Sequence, residues 1–489
     1  MTPVDDNSPT VTRVPGTYLP ADISIGIVHL GLGAFHRAHQ AVYIEQVLQR
    51  HGGGPWAICS ANIRSNMRVV EELEHQQFSY HVAEYADQQH VTLRQINAIA
   101  SAIYAGEGDN GSGHAALLDI LSAATTRLVT LTVTEKGYYL IPAQQQLRLD
   151  DPAIAADIVQ PQQPHTAPGL LVEALRRRRA AGIPPFTVLS CDNMPDNGKR
   201  CQMAVVQLAA QQDAGLADWI ATEVAFPCSM VDRIVPAMTD ASLATLRGLG
   251  CNEPAAIICE AFSQWVVEDH FPQGRPDWEV DGVQMVADVA PFEAMKLRML
   301  NGSHSLLAYL GPLLGYATVA EAVADSQVCA LLRGYMLEEA KPTLSMPADV
   351  DIDAYADQLL ARFANDSLHH QLRQIAMDGS QKLPQRWLAG MQQLRHEQLP
   401  CRRTELGIAA WVMTVMQASK GLLTLNDPMQ PTLLAAASEA DPLLALLSVD
   451  AIFPAQLLQD QALLVRLREA LTALSQPSTA RTFIAQLQG

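Results

Sequence analysis

An apolar run that ends in Gly31-Leu32-Gly33 and leads into a helix constrains this chain more than any other feature. Ile25 to Leu30 reads as a strand, and the apolar periodicity of Ala38 to Gln49 predicts the helix behind it. Strand, glycine turn and helix in that order are what a dinucleotide fold requires. Glycine lets the backbone approach a pyrophosphate, and the helix N-terminus presents unpaired N–H groups to it. The third glycine of the usual spacing is absent, because His36 holds its place. A tight turn without a ligand is the competing explanation, and Gly-x-Gly alone does not decide between them.

The pattern around that turn extends it to a fold. Strand-like runs recur at Trp56–Ser60, Leu128–Val133, Thr187–Cys191 and Ala255–Cys259, with helical runs such as Gly169–Ala181 and Gly198–Ala214 between them. Alternation of this kind predicts an α/β, Rossmann-like domain with a mostly parallel, doubly wound sheet. After about Pro291 the periodicity becomes helical, as in Tyr355–Ala364, Leu406–Ala418 and Ala462–Leu474. The expected division is a mobile arm over 1–20, a dinucleotide-binding domain over 21–290 and a largely α-helical domain over 291–489, with the site in the cleft between domains. The Gly-rich loop Glu107–Gly113 reads as a surface connection.

A second chemical signal opens the helical part. Lys296, Asn301 and His304 lie within nine residues. On a regular helix they fall at about 0°, 140° and 80°, with Glu293 at about 60°. An amine, an amide and an imidazole on one arc beside Met and Leu suggest a pocket wall. Burial lowers a lysine's pKa and fits it to give or take a proton. From spacing alone, a solvated helix face explains the same pattern.

Composition bounds the partners. The net charge of −18 argues against nucleic acid, which needs a basic surface. No apolar stretch reaches membrane-spanning length, and Met1 to Asn7 has neither the basic nor the apolar region of a signal peptide. The eight cysteines contain no Cys-x-x-Cys pair and read as free buried thiols of a cytoplasmic protein. No His/Cys cluster has zinc spacing, His369-His370 reads as exposed, and no metal is expected.

Five ordered segments carry a resemblance. Gly31 to His39, Thr132 to Tyr138, Ser190 to Gly198, Phe226 to Pro236 and Lys296 to His304 resemble the motifs of the polyol-specific long-chain dehydrogenases, the mannitol dehydrogenase family. The resemblance runs from about Ile25 into the last hundred residues. Phe271–Trp278, Met295–Ser305 and Ala376–Arg386 are similar to the family's fructuronate reductase (D-mannonate oxidoreductase) branch. That branch implies D-fructuronate + NADH + H⁺ ⇌ D-mannonate + NAD⁺. The resemblance implies Lys296 as general acid and base, and Asn193 and Asn301 as donors to the developing oxyanion. It gives His304 a substrate hydroxyl, Asp232 the lysine or a hydroxyl, and Glu293 a proton path to solvent. Gly31, Gly33, Ala34, Phe35, His36, Arg37, Thr134 and Glu135 would hold the cofactor.

A uronate carboxylate needs cations, and Lys382, Arg386 and Lys136 are the candidates. Arg298, at about 200° from Lys296, would point away and form a structural ion pair. The cofactor expected is NAD. No acid follows the second strand in Ala61 to Arg68, so Arg64 or Arg68 leaves NADP open. Competing functions are a mannitol 2-dehydrogenase or related polyol or tagaturonate enzyme, and a non-catalytic dinucleotide-binding redox sensor. A monomer or small homo-oligomer acting on a sugar acid or polyol is expected.

Overall fold

Apolar runs in the first 290 residues pair edge to edge because both faces of the resulting sheet can be covered. The computed structural model describes residues 9–141 and 145–487. It divides into two compact units, Met1–Ala290 and Pro291–Gly489. The strands of the first unit are β1 (Thr10–Val14), β2 (Ile23–Leu30), β3 (Gly54–Asn62), β4 (Tyr80–Tyr85), β5 (His90–Ile96), β6 (Ile99–Tyr104) and β7 (Leu128–Leu131). There follow β8 (Leu140–Ile141), β9 (Gln146–Leu147), β10 (Thr187–Ser190), β11 (Ser229–Asp232), β12 (Ile257–Glu260), β13 (Gln264–Glu268) and β14 (Gln284–Val286).

Five of them form an all-parallel sheet in the order β10-β7-β2-β3-β6. Strand parity sends neighbouring residues to opposite faces. Ile27, Ile58, Leu128 and Leu189 pack on one side with Val42, Val47 and Leu48 of the helix Gln40–His51. Val28, Leu30, Ala61, Val129, Leu131 and Val188 pack on the other side. There they meet Leu117, Leu171 and Val205 of the helices Ser112–Ser122, Ala167–Ala180 and Asn197–Gln212. Each such fully buried aliphatic side chain stabilises the fold by about 1.5–3 kcal/mol. This is a Rossmann domain, with the helices that its sequence periodicity predicts.

Two sequence expectations change. β12, which overlaps the run Ala255–Cys259, joins a separate mixed sheet, β1-β5-β4-β12. Part of the expected mobile arm is a strand: β1 pairs in parallel with β5, Thr10 opposite His90. Its β-branched Thr-Val-Thr-Arg-Val sequence suits an edge strand, and Arg13 donates to the Leu249 carbonyl at 2.8 Å. Residues 1–8 lie outside the described residues.

The second unit is helical. Ile352–Phe363, Arg402–Ser419 and Gln461–Ala473 occupy the three periodic stretches. Three of its segments, Lys296–Asn301, Tyr335–Ala340 and Pro384–Leu388, are π-helical. Among the described residues no helix is long and apolar enough to cross a membrane. All eight cysteines are free, and all but Cys329 are buried.

Candidate active site

The order of the parallel sheet locates a crevice before any side chain is considered. The chain runs outward from β2 to β3 and β6, then returns to lay β7 and β10 on the other side of β2. The direction of winding therefore reverses between β2 and β7. Ligands bind at the carboxyl ends of strands at such a reversal. Three of the sequence motifs leave the sheet at that edge: Gly31–Gly33 after β2, Thr132–Lys136 after β7 and Cys191–Asn193 after β10.

The glycine turn has two different glycines. Gly31 has φ +111°, and a Cβ there would lie 2.2 Å from the Thr132 carbonyl oxygen. It is required by the protein itself. Gly33 is extended, and an added Cβ would meet only the Gly31 oxygen at 3.8 Å. Among the described residues nothing crowds a Cβ at 33, which leaves space for a ligand backed closely onto the turn. This open cradle before the helix fits a dinucleotide. Gly33→Ala is expected to leave the melting temperature nearly unchanged while raising KM for the dinucleotide at least tenfold, whereas Gly31→Ala lowers the melting temperature. Melting curves beside steady-state rates separate the two.

His36, where a third glycine is usual, is fully buried. Its ring stacks on His29 at 3.4 Å between centroids, and its Nε2 lies 2.9 Å from Ser60 Oγ. Arg37 donates to the Gly33 and Ala255 carbonyls and is also buried. Both side chains are buried and bonded to the protein around the loop. Ala34 and Phe35 are partly buried against the core, and Phe35 stacks on His39 at 4.8 Å. His29 lies 2.7 Å from Thr130 Oγ1 and 3.0 Å from the Gly31 oxygen, tying β2 to β7.

Burial pushes His29 down to about 3, so it is neutral in the folded chain. The unfolded chain binds the extra proton below about pH 6.5. The stability contributed by the neutral ring is thus complete above that pH. It is lost towards pH 3 by up to about 1.4 kcal/mol per pH unit. Denaturant unfolding at pH 7.5 and 5.5 is expected to show a shallower decline in His29→Gln.

Asp192 organises the neighbouring loops. Its carboxylate accepts from Thr134 N at 2.7 Å, Val133 N at 3.2 Å and Tyr138 Oη at 2.6 Å. Those bonds hold Thr134 at φ 65°, ψ 164°, a conformation that L-residues seldom adopt. Burial raises the Asp192 pKa, against the opposing pull of these donors. Thr134, Glu135 and Lys136 are left exposed at the sheet edge, with Glu135 3.5 Å from Arg200. Asn193 is exposed beside them, and Asp232 is buried at the end of β11. Asn197 joins their two strands: its Nδ2 donates to the Asp192 and Ser229 carbonyls at 3.0 and 2.7 Å. Arg233 pairs with Glu84 at 2.9 Å. Neither Asp192 nor Asn197 is recognisable as an organiser from sequence, because each has partners on segments more than thirty residues away.

In the second unit Lys296 is buried, with 7% exposed. The regular helix wheel does not hold here. The helix Ala290–Met295, which carries Glu293, passes into the π-segment Lys296–Asn301 and then into the helix Gly302–Leu313. In a π-turn residue i+5 takes the hydrogen-bonded position above residue i. Lys296 and Asn301 are so related, and come nearer to one line than the 140° of the wheel.

The displaced carbonyls of this turn are capped by side chains. Tyr335 Oη donates to the Arg298 oxygen at 2.8 Å, Arg386 Nη1 to the Asn301 oxygen at 3.2 Å and Trp387 Nε1 to the Gly302 oxygen at 3.1 Å. All three donors come from the other two π-segments. Gly302 is required here, since a Cβ would lie 2.1 Å from Tyr335 Oη. Pro384 lacks the N–H of a regular turn and begins the third π-segment.

His304 is buried and its Nε2 has no partner. Burial first, then His370, Arg386, Arg362 and Lys296, hold its pKa well below the usual value, so it is neutral. His370, read from sequence as exposed, is partly buried and meets His304 edge to face at 5.3 Å; His369 is exposed. Among the described residues Arg298 forms no ion pair of the kind expected, donating instead to the Thr343 carbonyl and to Gln393 Oε1.

Two further cations, Arg386 beside His304 and Lys382 near Arg386, form no ion pair among the described residues. Arg386 also donates to Ser305 Oγ at 2.9 Å, and burial pushes it down to about 10. Lys382 donates to the Met377 and Ile375 carbonyls at 2.6 and 3.3 Å. Its pKa is lowered by burial and then by Arg386. Among the described residues no carboxylate lies in ion-pair range of either one.

Comparison with known proteins agrees with these two units. Residues 25–280 match the mannitol dehydrogenase Rossmann domain, and residues 288–475 match the mannitol dehydrogenase C-terminal domain. The chain is 46% identical over 434 residues to the uncharacterised oxidoreductase YeiQ of Escherichia coli, covering 87% of each chain. It is 45% identical over 442 residues to the D-mannonate oxidoreductase of Escherichia coli, covering 89% of this chain and 90% of that one. Mannitol 2-dehydrogenase of Pseudomonas fluorescens, solved as a ternary complex with NAD and D-mannitol, superposes with a TM-score of 0.82 at 34% identity. That match covers 97% of this chain and 96% of the other.

Proposed function

The chain belongs to the mannitol dehydrogenase family of oxidoreductases, and from that premise we propose that it interconverts D-fructuronate and D-mannonate with NADH and NAD⁺ in hexuronate catabolism. The observation that carries the choice of an acid over a neutral polyol is Arg386. A partly buried guanidinium without a carboxylate partner is costly to maintain. A substrate carboxylate would supply the missing charge through paired hydrogen bonds. Lys382 beside it adds to the same field, and Lys136 remains a second candidate on the nucleotide-binding unit.

A bound nicotinamide would supply hydride to the ketone carbon at position 5 of the uronate. Everything else falls to side chains. Lys296 gives its proton to the carbonyl oxygen in reduction and takes it back in oxidation. Asn301 donates to that oxygen, and as a neutral amide it stabilises charge without competing for the proton. Asn193 is the second donor and Asp232 the orienting acid of the same reading. Neutral His304 offers its unpartnered Nε2 to a substrate hydroxyl, and Glu293, one turn before Lys296, relays protons to solvent. The identity with D-mannonate oxidoreductase supports this substrate class. The likeness to mannitol 2-dehydrogenase supports an uncharged polyol as the second reading.

For the cofactor we favour NAD. Arg68 is paired with Glu72 at 2.6 Å, which leaves Arg64 as the cation for a 2′-phosphate. The test is the initial rate of NADH oxidation with D-fructuronate, D-fructose and D-tagaturonate, repeated with NADPH. Fast turnover of fructuronate with NADH is expected. Preference for fructose moves the enzyme to the polyol reading, preference for NADPH removes the cofactor choice, and NADH binding without turnover of any sugar favours a redox sensor.

A further inference from the structure

The first unit carries a group of metal-ligating side chains that the reaction does not use. His81 is the second residue of β4, while Cys251 and Glu253 lie in the turn before β12, 172 positions from His81 in the case of Glu253. One ligand atom from each comes within 4.8 Å of the others. We propose that His81, Cys251 and Glu253 bind one zinc-class divalent cation that pins this edge of the mixed sheet.

The three positions are preorganised. β4 and β12 pair in parallel, with Val82 opposite Ile257. Cys251 is set by the end of the helix Asp240–Gly248. Gly250 there has φ +78°, its N donates to Arg247 O at 3.0 Å, and Cys251 N donates to Leu246 O at 2.9 Å. This double bond pattern is a left-handed helix stop that leaves little freedom. Glu253 is held by the His81 backbone N at 3.0 Å.

The ligand chemistry is that of zinc rather than calcium or magnesium: imidazole, thiolate and carboxylate. Ligands around a tetrahedral zinc lie roughly 3.3–3.6 Å apart. His81 Nδ1 and Glu253 Oε1, now hydrogen-bonded at 2.9 Å, need to separate by only a fraction of an ångström. Cys251 is 4% exposed, whereas the His81 and Glu253 side chains keep 24% and 30%, so an ion has an entry path and room for a water as fourth ligand. Cys251 is also a hydrogen-bond partner of the His81 ring, which brings the buried sulfur to the imidazole at the third corner. The group stands at the start of β4 and β12, the end opposite the one where Glu260 of β12 accepts from Ile234, two residues past Asp232. Its role is therefore structural, and binding releases the thiol proton to solvent.

The test is titration of chelator-stripped full-length protein with Co²⁺ and with Zn²⁺. A near-ultraviolet thiolate-to-cobalt band saturating at one ion per chain, and a Zn²⁺-dependent rise in melting temperature, are expected. Both are lost in Cys251→Ser and weakened in Glu253→Gln. Both persist in Cys329→Ser, the control for the one thiol that is not buried. Turnover in the stripped protein stays unchanged. Absence of the band, or a band indifferent to Cys251→Ser, overturns the site.

Discussion

Lys296→Ala is expected to lower kcat for ketone reduction by about 10²- to 10⁴-fold, the range of a lost general acid. The alkoxide formed by hydride addition needs a proton, and among the side chains of the Lys296–Asn301 turn only the lysine combines burial with a transferable proton. The fold should survive, since the carbonyls of that turn are capped by Tyr335, Arg386 and Trp387 and not by the lysine side chain. Melting temperature and dinucleotide affinity are therefore expected to stay close to those of the parent. Partial rescue by small primary amines, with a rate that follows the amine's pKa, would tie the loss to proton transfer. A variant that keeps a near-normal rate at neutral pH removes lysine from the mechanism.

Arg386→Met is expected to separate acid from neutral substrates. Losing one partner of an enclosed charge pair costs about 2–5 kcal/mol, roughly 30- to 4000-fold in kcat/KM for fructuronate. Slow turnover of an uncharged ketose should change little. Arg386 also caps the Asn301 carbonyl and donates to Ser305, so a purely structural role predicts an equal loss for both substrates. The ratio of the two losses is therefore the decisive measurement. Arg386→Lys should recover only part of the fructuronate rate, because an ammonium keeps the charge without the paired donors. Equal losses for the two substrates would return Lys136 and Lys382 to first place as carboxylate ligands.

Much of the architecture is legible along the chain because it depends on local pattern. β2, its glycine turn and the helix behind it follow from apolar runs and one backbone demand at Gly31. The long helices of the second unit follow from periodicity. What escaped reading was a matter of partnership. Thr10–Val14 is a strand because β5 offers an edge, and no local feature announces that edge. His36 and Arg37 sit in a cofactor motif and are buried, because His29, Ser60 and the Ala255 carbonyl partner them there. His370 looks like half of an exposed pair until its ring meets His304. Arg298 finds a carbonyl and an amide, where charge alone suggested an acid.

By itself, then, the sequence determined the succession of elements, the family and the residue types that can move a proton or bind an oxyanion. These are properties of short segments, carried by period, by glycine and by functional groups close in the chain. Only the tertiary structure decided the geometry of those groups. The π-turn at Lys296–Asn301 persists because Tyr335, Arg386 and Trp387 reach carbonyls that the turn displaces, and two of those donors lie more than eighty residues away. Burial, which keeps His304 neutral and leaves Arg386 without an acid, is likewise a property of what packs around a residue. It has no signature at the residue itself.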